Sequence, residues 1–210
     1  MAASRTLVHR DVREEFQERM GRRAAAIRVG DPFSERSQVG AQTSLRQLEK
    51  IGDYVEIGAG EGARVVAGGE RPEGSGDGWF YRPTVLGDVR NDMRVAREEI
   101  FGPVTVVIEF DDEDEAIALA NDNPYGLAAA VWTQDVKRAH RVAHAVKAGT
   151  VWINNYRLWN WLMPFGGYKQ SGYGREGGLE VMEHYTQTKS VWVDLQEDPV
   201  DWFGDAETGS

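Results

Sequence analysis

Residues 104–154 read VTVVIEFDDEDEAIALANDNPYGLAAAVWTQDVKRAHRVAHAVKAGTVWIN. The first seven residues, Val104–Phe110, are an almost continuous β-branched run, the pattern of a strand buried on both faces. Asp112 with Glu115 marks a helix start, the helix runs to about Asn121, and Asn123-Pro124-Tyr125-Gly126 is turn chemistry. Leu127–Trp132 reads as a second strand, Asp135–Lys147 as a helix closed by Gly149, and Thr150–Asn154 as a third strand. A strand–helix–strand–helix–strand series with short loops predicts parallel pairing and right-handed crossovers. The fold class is α/β, a mostly parallel sheet flanked by helices.

Upstream, Asp11 with Glu14 forms a capping-box pattern for a helix over residues 11–29. Its predicted apolar stripe is Val12, Phe16, Met20, Ala24 and Ile27, and Gly30 stops it. Ser44 with Gln47 caps a second helix, Leu45 to about Ala59, with Leu45, Leu48, Ile51 and Val55 along one side. Short strands are predicted at Ala63–Ala67 and Trp79–Leu86. Downstream, residues 155–178 are rich in glycine and aromatics without a regular period, and a loop of that length in a compact domain is usually functional. A short helix around Leu179–Tyr185 and a strand over Thr186–Leu195 follow, then an acidic tail over residues 196–210.

Composition narrows the function. The 210 residues hold 24 Lys plus Arg against 34 Asp plus Glu, so the net charge of −10 argues against nucleic acid or an anionic membrane as partner. No apolar run approaches the roughly 20 residues of a membrane span, and no signal segment precedes Arg5, which makes a cytoplasmic protein the expectation. With no cysteine there is no disulfide framework, no thiolate metal site and no thiol nucleophile.

Three motif matches dissolve on inspection. Gly172-Tyr173-Gly174-Arg175-Glu176-Gly177 fits G-x-G-x-x-G, but no buried strand leads into it and the helix after it is too short for a crossover. His140 and His144 stand four apart like zinc ligands, yet Arg141 and its neighbours Lys137 and Lys147 make that helix face cationic. Ser171 lacks a G-x-S-x-G elbow, so serine hydrolysis has little support. The sharper signal is Arg97–Val104, REEIFGPV: an acidic pair, an aromatic and a Gly-Pro turn at the mouth of a buried strand. A carboxylate and an aromatic so placed can hold a sugar hydroxyl and pack on a flat ring; an ion pair with a turn is the other reading of the same residues.

REEIFGPV, Ala148–Asn154 (AGTVWIN) and Pro164–Glu176 (PFGGYKQSGYGRE) together resemble the aldehyde dehydrogenase superfamily in order and spacing. Asn123–Ala128, Glu61–Gly69 and Tyr185–Val191 add supporting matches, and the similarity runs from Ala2 to about Leu195. The resemblance implies NAD- or NADP-dependent oxidation of an aldehyde to a carboxylate through a cysteine thiolate and a glutamate base. By position it makes Glu99 the carboxylate that holds the nicotinamide ribose and Phe101 the aromatic beside it, with Gln47 and Lys50 in a segment that also approaches the cofactor. It makes Phe165 a substrate-pocket aromatic, and places Tyr156, Trp159 and Trp161 in the variable substrate loop.

The departure from the family pattern is equally specific. Aligning Ser4-Arg5 with C-x-A-x-S-R sets the nucleophile's position immediately before Met1, and the family's nucleotide-binding domain and base glutamate lie further upstream. The resemblance therefore assigns no catalytic residue and no metal ligand here, and assigns NAD or NADP to the complete enzyme. Residues 1–185 are expected to be catalytic-domain-like, with 186–195 an oligomerisation strand. Two functional readings stand: the C-terminal half of an aldehyde dehydrogenase, completed by a complementary N-terminal chain, or a non-catalytic module that forms a homo-oligomer through the C-terminal strand.

Overall fold

The computed structural model describes residues 3–195 and 197. At its centre is β4, Val104–Phe110, whose Val106, Val107 and Ile108 are all within 3% of complete burial. It lies between two parallel neighbours, β1 (Arg5–His9) and β3 (Thr84–Gly87), and β2 (Arg64–Ala67) adds antiparallel to β3. Successive side chains of a strand face opposite ways, and the two cores divide accordingly. Val106, Ile108 and Leu86 pack under α2 (Leu45–Gly60), while Val107, Val85 and Val8 pack with Ala24 under α1 (Arg13–Ala25). Helices therefore cover both faces of a mostly parallel sheet, as an α/β fold requires.

The 104–154 run forms the expected elements but not one sheet. After β4 come α4 (Glu113–Asn121), the two-residue strand β5 (Tyr125–Gly126), β6 (Ala128–Val131), α5 (Val136–Ala145) and β7 (Thr150–Ile153). β6 and β7 pair in parallel through the α5 crossover, in a sheet separate from the one holding β4. The α4 cap is the one read from sequence, the Asp112 side chain accepting from the Glu115 amide at 2.9 Å, and Asp135 caps α5 in the same way, accepting from the Arg138 amide at 3.1 Å.

Several expectations are corrected. The first helix is a 3-10 turn at Arg10–Val12 followed by α1, which ends at Ala25 rather than near Gly30. Its Asp11 capping box does not form; the Asp11 amide instead donates to His9 Nδ1 at 3.3 Å. The buried face of α1 is Gln17, Gly21 and Ala24, whereas Val12 is 50% and Phe16 37% exposed. Gly21 is what permits this, since a Cβ there would stand 2.9 Å from Cγ1 of Val66 on β2. The strand predicted over Trp79–Leu86 shrinks to β3 because Pro83 offers no amide and Arg82 donates to the Glu70 carbonyl. The short helix α3 (Arg94–Arg97) went unpredicted, as did β1. Residues 186–195, expected as an oligomerisation strand, follow α6 (Val181–Tyr185), and none of the ladders among the described residues includes them. A strand exists only by pairing, so alternation alone does not form one. The acidic tail lies outside the described residues apart from Glu197.

Candidate functional site

The REEIFGPV stretch passes from α3 to β4 across the N-terminal half of α2. Ser44 Oγ accepts from the Gln47 amide at 3.2 Å and starts α2 there, so Gln47, Lys50 and Tyr54 fall on one face at helical spacing. That face grips the backbone of the stretch. Gln47 Nε2 donates to the carbonyls of Ile100 and Phe101 at 2.8 and 2.9 Å, and Lys50 Nζ donates to the carbonyl of Glu99 at 2.7 Å. Ile100 is buried in the main core, which leaves Glu99 exposed on one side of it and Phe101 73% exposed on the other.

Phe101 sits at φ +58°, a left-handed conformation that a bulky residue adopts at a cost of about 1–3 kcal/mol. It persists because its surroundings over-determine it. Besides the two Gln47 bonds, the next residue must be glycine: a Cβ on Gly102 would lie 2.5 Å from Cγ1 of Ile51. The result is a carboxylate and an aromatic ring presented to solvent on a backbone held from behind. Glu99 can accept hydrogen bonds from a pair of hydroxyls, and the Phe101 ring can cover one face of a flat heterocycle, so the residues present fit a nicotinamide riboside.

Glu98 faces the other way. Arg94 Nε and Nη2 donate to its two oxygens at 2.8 and 3.0 Å, and Tyr54 Oη donates to it in a short hydrogen bond. The Arg94 guanidinium and the Tyr54 hydroxyl hold the Glu98 carboxyl down at about 2. The guanidinium also lies over the Tyr54 ring, 5.5 Å from its centroid.

The predicted substrate-loop residues occupy three settings rather than one. Tyr156 meets Trp152 edge-on, with ring centroids 5.4 Å apart. Trp159 and Trp161 lie against each other at 4.1 Å, 50% and 75% exposed. Phe165 is half-buried, and its amide and carbonyl pair with those of Glu176, both at 2.7 Å. No hydrogen bond or ring contact among the described residues joins these four to Glu99 or Phe101. The loop is tied to α3, which leads into REEIFGPV, indirectly: Lys169 Nζ donates to the carbonyls of Asn121 and Asn123 at 2.9 Å, and Asn123 Nδ2 donates to the carbonyl of Ala96 at 3.2 Å. Gly149 is obligatory in this region, because any Cβ there would overlap the Gly166 carbonyl oxygen.

His140 and His144 are both exposed, their ring centroids 6.3 Å apart, and no group of metal-ligating side chains occurs among the described residues. A groove of about 600 Å³ between α1 and β2, lined by Gln17, Gly21, Arg64 and Val66 among others, includes none of the site residues above. Sequence reading found Gln47, Lys50, Glu99 and Phe101, which the fold does bring together. It missed Tyr54, Arg94 and Glu98, although Tyr54 continues the three-to-four spacing of Gln47 and Lys50.

Comparison with known proteins agrees with the motif reading. A model of the aldehyde dehydrogenase family matches residues 1–191. Betaine aldehyde dehydrogenases of Brucella anthropi and Brucella melitensis are each 50% identical over 194 residues, covering 91% of this chain and 40% of theirs. Among solved structures, betaine aldehyde dehydrogenase of Staphylococcus aureus in complex with NAD+ superposes with a TM-score of 0.92 at 40% identity, over 96% of this chain and 41% of that one. The NAD+ complex of an aldehyde dehydrogenase from Bacillus cereus gives 0.88 at 48% identity, over 92% and 39%. The chain thus spans about two fifths of the length of the relatives it matches. Over that span it belongs to the aldehyde dehydrogenase family.

Proposed function

We propose that this chain is the C-terminal half of an NAD(P)-dependent aldehyde dehydrogenase, supplying the nicotinamide-side cofactor contacts and part of the aldehyde pocket to a complete enzyme. The observation that carries this is the α2 rack that displays Glu99 and Phe101, in a chain half identical to enzymes of that name. When bound, the nicotinamide supplies a hydride acceptor. Glu99 holds the ribose hydroxyls through its carboxylate, Phe101 covers the ring, and Gln47 and Lys50 keep the backbone between them in place. Phe165, Tyr156, Trp159 and Trp161 line the approach of the aldehyde. The names of the relatives put betaine aldehyde first among the substrates to assay, and exposed indoles suit its quaternary ammonium. The chain has no cysteine, so the thiolate nucleophile has to come from elsewhere and the chain alone is inactive.

The test is complementation. The chain is mixed with a complementary N-terminal aldehyde dehydrogenase chain carrying the nucleotide-binding domain, the cysteine and the base glutamate, then given NAD and betaine aldehyde. NADH should form faster than with either part alone; no gain would sink the reading. A non-catalytic, self-associating module is the second reading. It is favoured by the exposed apolar Val191, Trp192, Val193 and Leu195 beyond α6. Either role suits a cytoplasmic protein, and no helix among the described residues is long and apolar enough to cross a membrane.

A further inference from the structure

We infer that Tyr54, Glu98 and Arg94 act as a positioning unit: they clamp the backbone just before Glu99 and so set the direction in which Glu99 and Phe101 are presented. The inference rests on the reading of those two side chains as cofactor contacts. Glu98 and Glu99 have the same chemistry, and what separates them is the backbone. Glu98 follows α3 in an extended conformation, φ −107° and ψ 149°, so consecutive side chains point to opposite sides. One carboxylate turns in toward α2 and the other turns out to solvent.

The inward one is satisfied from two elements at once. Arg94, one helical turn earlier on α3, grips both its oxygens, and Tyr54 reaches it from α2. Tyr54 is also the hub of the local cations, with Arg94 5.5 Å and Lys50 5.6 Å from its ring centroid. Lys50 in turn donates to the Glu99 carbonyl. The end of α3, the carbonyl of Glu99 and the face of α2 are therefore one connected set. A charge-assisted, bidentate pair resists rotation more than a single bond does, which suits a segment that must hold Phe101 at φ +58°. The low pKa of Glu98 is consistent with a carboxylate that stays ionised in this clamp.

Two measurements on the full chain test the role. Hydrogen exchange is followed by mass spectrometry in the cofactor-free protein. Tyr54→Phe keeps the ring but removes the donor, and Glu98→Gln keeps the shape but removes the charge. Each should speed exchange of peptides spanning 94–104 about five- to tenfold, the order expected for losing one partly exposed hydrogen bond. Peptides from β6 and β7 should not change. Unaltered exchange at 94–104, or equal acceleration across the chain, would overturn the clamp, and Glu98→Gln decides if Tyr54→Phe fails to fold.

Saturation-transfer NMR with nicotinamide mononucleotide then addresses the cofactor side. Tyr54→Phe should weaken its binding about fivefold. Glu99→Gln should abolish binding while leaving exchange at 94–104 as in the wild type. Unchanged affinity in Tyr54→Phe would overturn the positioning role. No transfer to the mononucleotide from the wild-type chain would overturn the cofactor reading and the role together, with the exchange result still reporting on the clamp.

Discussion

Two adjacent glutamates with opposite surroundings show how much of this site is decided one residue at a time. Glu99 is exposed beside an exposed ring, while Glu98 is pinned by Arg94 and Tyr54. Because the folded-state pKa of Glu98 is depressed to about 2, its contribution to stability is present above the unfolded-state value, roughly 4.3, and is lost as pH falls through the folded one. The urea midpoint of the wild type should therefore drop more steeply between about pH 4.5 and pH 2 than that of Glu98→Gln. The partly exposed setting of the pair softens the difference, and parallel curves would contradict the assignment. Gly102 is the other single-residue lever. Gly102→Ala forces a methyl against Ile51 and should cost about 1–3 kcal/mol, read as a lower urea midpoint at unchanged slope. REEIFGPV was recognisable as a motif in the sequence and its family resemblance singled out Glu99, but the physical reason that Glu98 is the one turned inward was not legible. That choice depends on Arg94 and Tyr54 arriving together from separate helices.

Among the elements, α2 carries the most weight. Leu48, Ile51 and Val55 bury into the main core, and Gln47, Lys50 and Tyr54 hold the site from the neighbouring face. Its start depends on the Ser44 cap, so Ser44→Ala should destabilise the chain by about 1 kcal/mol and also raise exchange around residues 98–102. Circular-dichroism melts and exchange mapping would check both parts. The caps of α2 and α4 were legible because a cap is a contact within three residues. The buried face of α1 was misread for the opposite reason. Of the five apolar residues marked as a stripe, Ala24 is buried and Met20 packs against the core, but Gln17 and Gly21 complete the buried face in place of Val12 and Phe16. Gly21 allows close approach to β2, and Gln17 Oε1 accepts from Arg64 at 2.7 Å. A buried glutamine needs a partner 47 residues away, and no local period announces it.

The whole molecule is an α/β sheet with loose ends. Among the described residues β1 has β4 as its one ladder neighbour, β6 and β7 form a sheet of two strands, and the apolar Val191, Trp192, Val193 and Leu195 are exposed outside any strand. Unpaired edges and exposed aromatics favour association. Light scattering should give a molar mass above 23.4 kDa that rises with concentration, and a concentration-independent monomer would refute this. Truncation after Tyr185 should then shift the mass toward the monomer if the C-terminal segment carries the contact.

What the sequence determined by itself was local or statistical: the α/β alternation of 104–154, the helix caps, the family motifs and the lack of a cysteine nucleophile. These are legible because each is written within a few neighbouring residues or in composition. The tertiary structure alone decided the strand order, the division into one four-stranded and two two-stranded sheets, the buried Gln17 and Gly21 of α1, and the clamp that Arg94 and Tyr54 place on Glu98. Each of those is settled by contacts between residues far apart in the chain, where packing against a partner overrides local periodicity. The segment 186–195 marks the boundary between the two: its alternation is in the sequence, but a strand needs a ladder to belong to, and the ladders among the described residues do not include it.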